Sequence, residues 1–145
     1  GQALRVDLLC PGDSADAPPQ FVARLGAAAQ PLPFLEYLLE TPEHAVTVAG
    51  EASLVKVPAP ARFAFHKLLI APLRAAAFAT KADKDLVQAA DIIEVLLEDR
   101  PGDLPLAWSA LIDRGPRWQK AAERGLQGLR RRRAALHTRL RAAIT

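Results

Sequence analysis

Between residues 80 and 98 the chain reads TKADKDLVQAADIIEVLLE, and Leu86, Ala89, Ala90, Ile93, Leu96 and Leu97 recur there at i, i+3, i+4 and i+7. That spacing puts them on one face of an α-helix. A long helix with one apolar face has to bury it against other elements, so the chain must build at least a second layer. Thr80, with Asp83 three residues on, predicts the N-cap, and Arg100-Pro101-Gly102-Asp103 predicts the stop.

The remainder of the second half also reads as helix. LPLAWSALIDRG predicts a short helix, and PRWQKAAERGLQGLRRRRAALHTRLRAA predicts a long basic one, with Pro116 as an N1 start and Gly125 and Gly128 weakening its middle. Leu126, Leu129, Leu136 and Leu140 form an apolar stripe on it, interrupted by Arg133. Upstream, ARFAFHKLLIAPLR after Pro60 has helical spacing, with Phe63, Lys67, Ile70 and Arg74 on one side. The two cations on that face are candidates for a phosphate clamp. The alternative is a lysine that snorkels at the edge of a core.

The first half reads differently. ALRVDLL, residues 3–9, alternates as a strand, with Leu4, Val6 and Leu8 on one face and Asp7 on the other. CPGDSADAPP is a loop by its turn residues. Residues 20–39 are ambiguous: FVARLGAAA allows a short helix, Pro31 and Pro33 break it, and FLEYLLE allows helix or strand. AVTVAG and ASLVKVP alternate β-branched residues around a Gly-Glu junction and predict a hairpin over 45–58. The expected fold is α+β, with a sheet domain over residues 1–58 and a helical domain over 59–145.

Charge is unevenly divided. The chain of 145 residues carries a net +3, but residues 1–99 hold eight Lys/Arg against thirteen Asp/Glu, and residues 100–145 hold eleven against three. A basic tail with Arg130, Arg131, Arg132 and Arg133 in succession suits RNA or another acidic partner, although such a run also serves as a solvated helix face. Cys10 is the single cysteine, which excludes an internal disulfide and points to a reducing, cytoplasmic setting. No run of 18 apolar residues occurs, so no membrane-spanning helix is expected. Gly1 in place of a start methionine suggests a processed or truncated chain.

Generic catalytic templates are missing. There is no glycine-rich phosphate loop, nucleophile-elbow serine or HExxH, and His44, His66 and His137 lie in separate segments. His66 reads as a structural histidine, and Trp108 and Trp118 read as core. Two acidic spots remain. Asp7 is a strand-borne carboxylate of the kind that can ligate a hard cation. Asp83-Lys84-Asp85 resembles a D-x-D pair, but residues two apart on a helix point to different sides, so the two carboxylates cannot share a metal. Asp85, beside Lys81 and Gln88, reads either as a site residue or as a first-turn acid favoured by the helix dipole.

RVDLL, AAAQPLPFLEYLLE, KVPAPARFAFHKLL and KADKDLVQAADIIEVLLE, in this order over most of residues 3–120, resemble bacterial nucleotidyltransferase-fold proteins distantly related to the AbiEii-like toxin nucleotidyltransferases. The resemblance implies a polymerase-beta-like sheet followed by helices, and Mg²⁺-dependent transfer of a nucleoside monophosphate from a nucleoside triphosphate to an acceptor. By that resemblance Asp7 matches the third metal-binding carboxylate, Lys67 a lysine that holds the nucleotide's phosphates, and Asp85 the acid of a Lys/Arg-Asp motif. Asp7 and Asp85 are thus the candidate catalytic residues, and Lys67, Arg74 and Lys84 the candidate nucleotide-binding ones. The family's Gly-Ser turn and first carboxylate pair have no counterpart in the six residues before Asp7, so the chain is expected to be truncated and inactive alone. Two other readings compete: a non-catalytic module that binds RNA or an acidic partner through the basic helix, and a helical dimerisation piece.

Overall fold

A computed structural model describes residues 6–14, 17–74 and 79–145. The fold is α+β: two small sheets, then helices. The chain divides into two compact units, Gly1–Glu36 and Tyr37–Thr145. The hairpin expected with the sheet domain over 1–58 instead falls in the second unit, with the helices.

The first unit is a three-stranded sheet in the order β1-β3-β2. β3 (Ala27–Leu32) lies between β1 (Leu9–Pro11), which it meets in parallel, and β2 (Gln20–Val22), which it meets antiparallel. The strand expected over 3–9 is displaced. Residues 3–5 lie outside the described residues, Val6, Asp7 and Leu8 are not in a strand, and pairing begins at Leu9↔Gln30. Pro31 was expected to break structure, yet it sits inside β3. The ladder explains why. Gln30 N donates to Leu8 O and Gly12 N donates to Leu32 O, so residues 30 and 32 face β1. Residue 31 faces the other side, where β2 has already ended opposite Ala29, and the N–H that proline lacks would have met no partner strand. Gly26 turns the chain into β3 at φ 60°, in the left-handed region.

α1 (Leu35–Leu39) leads into the second unit. The hairpin runs longer than expected: β4 (Pro42–Ala49) pairs with β5 (Glu51–Pro58) around Gly50, whose φ is 90°. Val46 and Leu54 lie opposite each other, and both are exposed, as is Val48.

Five helices follow: α2 (Pro60–Ile70), α3 (Ala79–Asp99), α4 (Asp103–Ile112), α5 (Pro116–Arg132) and α6 (Ala134–Ile144). α2 packs on α3 and α5, and α5 on α6. Phe65, Leu68, Leu69, Ile93, Leu104, Leu111, Leu126, Leu129 and Leu140 fill the interior. Ala89, Ala90, Ile93 and Leu96 are buried as the periodicity of α3 requires. Pro60 and Pro116 each open a helix, where a missing N–H costs no helical bond. Thr80 is not the cap of α3, since the helix already includes Ala79.

The basic helix expected over 116–142 is two helices. Arg133 leaves helical geometry at φ −138°, ψ 74°, where a continued helix would have set it beside Arg130, three residues back. Its guanidinium instead reaches Asp91 and Glu94 of α3, at 2.9 and 2.8 Å. Leu126, Leu129, Leu136 and Leu140 are nonetheless all buried, two on each helix. Among the described residues, no helix is long and apolar enough to cross a membrane.

Candidate functional site

α2 ends at Ile70 and a single 3-10 turn, Ala71–Leu73, carries the chain to Arg74, which is extended at φ −72°, ψ 132°. Pro72 in that turn cannot continue the α-helical bonding. Arg74 was expected on the helix face beside Lys67, but it stands beyond the helix end. The two cations still meet at one place, because both reach the same carboxylate. Lys67 Nζ donates to Asp85 Oδ1 at 2.7 Å, and Arg74 Nε donates to Asp85 Oδ2 at 2.6 Å.

Asp85 sits on the buried stripe of α3 with Ala89 and Ile93, and it is 3 % exposed. A buried carboxylate of this kind requires charge partners, and here it has one on each oxygen. The lysine and arginine side chains are themselves 18 % and 31 % exposed, so each cation presents a face to solvent. Lys67 Nζ also stands 5.1 Å from the centroid of the Phe63 ring, which further restricts its position. The cluster holds two positive charges against one negative.

The neighbouring acid behaves oppositely. The Asp83 side chain is 57 % exposed against 4 % for Asp85, and it pairs with Arg132. Helical geometry separates the two carboxylates, as expected of residues two apart. Lys84 is exposed and takes no part in the cluster. Asp7 is exposed, belongs to the first unit and precedes β1, so the expected strand-face position is not the observed one. His66 is buried in α2. Among the described residues, no three His, Cys, Asp or Glu side chains gather as a metal site.

A second charged cluster escaped the sequence. Tyr37 is fully buried, its hydroxyl donates to Ala107 O at 2.9 Å, and its ring lies 6.0 Å from that of Trp118. The guanidinium carbons of Arg62 and Arg114 stand 4.7 and 5.6 Å from its centroid. Both arginines also hold Glu40, at 2.9 and 2.5 Å. Burial pushes the Tyr37 hydroxyl far above its ordinary pKa, whereas the hydrogen bond from Arg114, with Arg62 beside it, holds Glu40 below the usual carboxylate value. The four charged and aromatic groups satisfy one another, which makes the cluster a structural clasp.

The clasp has a pH signature. A carboxylate whose folded pKa is depressed contributes stability in full above its unfolded pKa, and loses it as pH falls through the folded value. The melting temperature of the native protein should therefore exceed that of Glu40→Gln most clearly above pH ~5, and the gap should close as pH falls below ~4. A gap that is constant across this range would show that the ion pairs add nothing.

The basic tail divides into two sets of arginines. Arg132, Arg133, Arg139 and Arg141 are paired with Asp83, Asp91 and Glu94, Glu98, and Glu123 respectively. Arg130 and Arg131 are exposed, and Arg131 Nε donates to Gln127 O at 3.3 Å. Arg131 and Arg132 also line a cavity of about 410 Å³, together with Ala71, Pro72, Leu86 and Gly128.

The family model NTP_transf_8, described as nucleotidyltransferase, covers residues 1–113. No curated protein and no solved structure matches the chain.

Proposed function

The chain belongs to the nucleotidyltransferase family, and we propose that Lys67 and Arg74 hold the phosphates of a nucleoside triphosphate while a nucleoside monophosphate passes to an acceptor. The observation that carries this reading is the sharing of one buried carboxylate by two cations. Asp85 uses one of the three ammonium donors of Lys67 and the Nε–H of Arg74. The remaining donors are available to phosphate oxygens, and the residual positive charge favours an anion there.

Preorganisation gives the arrangement its chemical value. Phosphoryl transfer spreads negative charge over the transferred group, and catalysis rests mainly on positioning and on fixed positive charge. Asp85 touches the two cations and acts as a positioning residue: it fixes Lys67 and Arg74 so that little side-chain freedom remains to be lost when phosphate binds. Lys84, exposed one residue before Asp85, has a lesser, peripheral role. The AbiEii-like character of the motifs and a cytoplasmic setting belong to the same proposal.

Mg²⁺ is expected from the family likeness. The described carboxylates do not assemble a site for it, since both oxygens of Asp85 are engaged by cations. Asp7 remains the candidate ligand that the family resemblance implies.

The test is calorimetric titration of each of the four nucleoside triphosphates, with Mg²⁺, into the native chain and its variants. Lys67→Ala and Arg74→Ala should each weaken binding by about tenfold or more, near 1.4 kcal/mol, and Lys84→Ala by no more than about threefold. Unchanged affinity in the first two variants, or no binding of any triphosphate to the native chain, would overturn the proposal.

A further inference from the structure

α5 has two opposed faces. Trp118, Ala122, Gly125, Leu126 and Leu129 are buried. On the opposite side Arg117, Lys120, Arg124, Gln127 and Arg131 are all exposed, and at about 100° per residue they fall within an arc of about 80°. From residue 117 to residue 131 the line is ~21 Å long.

Beyond Arg117, the cations of this face have no acid to balance them. Among the described residues, no ion pair joins Lys120, Arg124 or Arg131 to an acid, although the arginines that follow them are matched one by one with acids of α3 and α5. The nearest acid on the helix, Glu123, is engaged by Arg141. Position 127, three residues from Arg124 and four from Arg131, is where a glutamate would relieve the repulsion, and it holds a neutral glutamine. A row of like charges on a helix that could have been balanced, and was not, is the footprint of a polyanion.

The row ends at a cavity. Arg131 is both its last cation and a wall of the 410 Å³ space whose other walls include Ala71, Pro72 and Leu86. Apolar walls with guanidinium groups at the rim suit a planar base, which can lie against the aliphatic side and stack on an arginine. An unpaired strand can turn a base out of line at no cost in pairing, and RNA is read chiefly in that single-stranded form.

We infer that α5 docks a single-stranded RNA, its phosphates along Lys120, Arg124 and Arg131 and one unstacked base in the cavity between Pro72, Leu86 and Arg131. This surface shares Arg131 with the Arg130–Arg133 run that the sequence singles out, half of which is neutralised by α3, and otherwise lies on the preceding turns of α5.

The experiment is fluorescence anisotropy of a fluorescein-labelled, unstructured RNA of about 20 nucleotides, titrated with the native chain over a range of salt. Three phosphate contacts on a single strand predict a slope of log K against log [salt] of about −2. The double variant Lys120→Glu/Arg124→Glu should weaken binding by at least about a hundredfold, while Arg139→Gln on α6 should change it by less than about twofold. Arg131→Lys keeps the charge and loses the stacking plane, so it should weaken binding with the salt slope preserved. The altered side chains are exposed, and unchanged melting temperatures would show the variants to be folded. No salt-dependent binding, a charge reversal without effect, or equally tight binding of single-stranded DNA or of phosphatidylserine vesicles would overturn the inference. Because binding is read without nucleotide transfer, its failure is separate from failure at Lys67 and Arg74.

Discussion

Replacing Asp85 with alanine should lower the stability of the folded chain by about 3 kcal/mol, the loss expected when one partner is removed from a buried charge cluster. Lys67 and Arg74 would be left facing each other with nothing between them, and the carboxylate's place on the buried stripe of α3 would become a void. Asp85→Asn should be little better, because an amide offers one acceptor where two cations require two. Removing either cation alone should cost less, with Lys67→Ala above Arg74→Ala, since their side chains are 18 % and 31 % exposed and the remaining groups can recruit water. Urea unfolding of the four variants measures the order, and a loss below about 1 kcal/mol for Asp85→Ala would show that water already serves the cations. A triple replacement by methionine separates stability from function. Buried ion clusters can be exchanged for apolar residues at little cost, so the triple variant should fold almost as stably as the native chain yet bind no triphosphate.

Elements with a strong local signal were legible in the sequence, and their partners were not. Ala89, Ala90, Ile93 and Leu96 announce α3, and Pro60 and Pro116 announce the starts of α2 and α5, because helical periodicity and proline's missing N–H act within a few residues. The first unit was harder. β1 and β2 are three residues each, too short for alternation to register, and Pro31 is admissible only because of where β2 stops. Arg133, where the helix breaks, pairs with acids some forty residues away in α3, which no local pattern contains.

The candidate site follows the same rule. Lys67, Arg74 and Asp85 were each singled out, two by their spacing on a helix and the third by its place beside the apolar stripe. What could not be read was that they form one cluster, since the contacts span 18 and 11 residues. The spacing that suggested a clamp was also partly misleading: Arg74 arrives at Asp85 from an extended segment after Pro72, and a helix continued to residue 74 would have had to do without that turn. Charge segregation was visible in the composition, but its division into neutralised arginines and an open row on α5 required the position of α3. Asp83 illustrates the limit from the other side. Its separation from Asp85 follows from helix geometry alone, while its pairing with Arg132 does not.

Gly125→Ala should destabilise the chain by about 1–3 kcal/mol although alanine is the better helix former. A Cβ at this position would stand 2.4 Å from Leu68 O and 2.8 Å from Leu68 C, both backbone atoms of α2 that cannot step aside as a side-chain tip can. α5 and α2 would have to move apart, each shifting, which opens the interior around Leu68, Leu126 and Leu129, and the intrinsic gain of ~1 kcal/mol from replacing a helical glycine would not offset that loss. Gly128 on the same helix supplies the comparison. Its Cβ would meet Leu86 Cδ2 at 3.3 Å, the end of a flexible side chain, so Gly128→Ala should be neutral or stabilising by up to ~1 kcal/mol. Urea midpoints that move in the same direction for both variants would mean that close approach of α5 to α2 is not what glycine serves at 125. The consequence reaches the site, because Leu68 directly follows Lys67 on α2. A displaced α2 carries the ammonium away from Asp85, so Gly125→Ala should weaken triphosphate binding without touching any group that contacts the phosphates, whereas Gly128→Ala should leave that affinity unchanged.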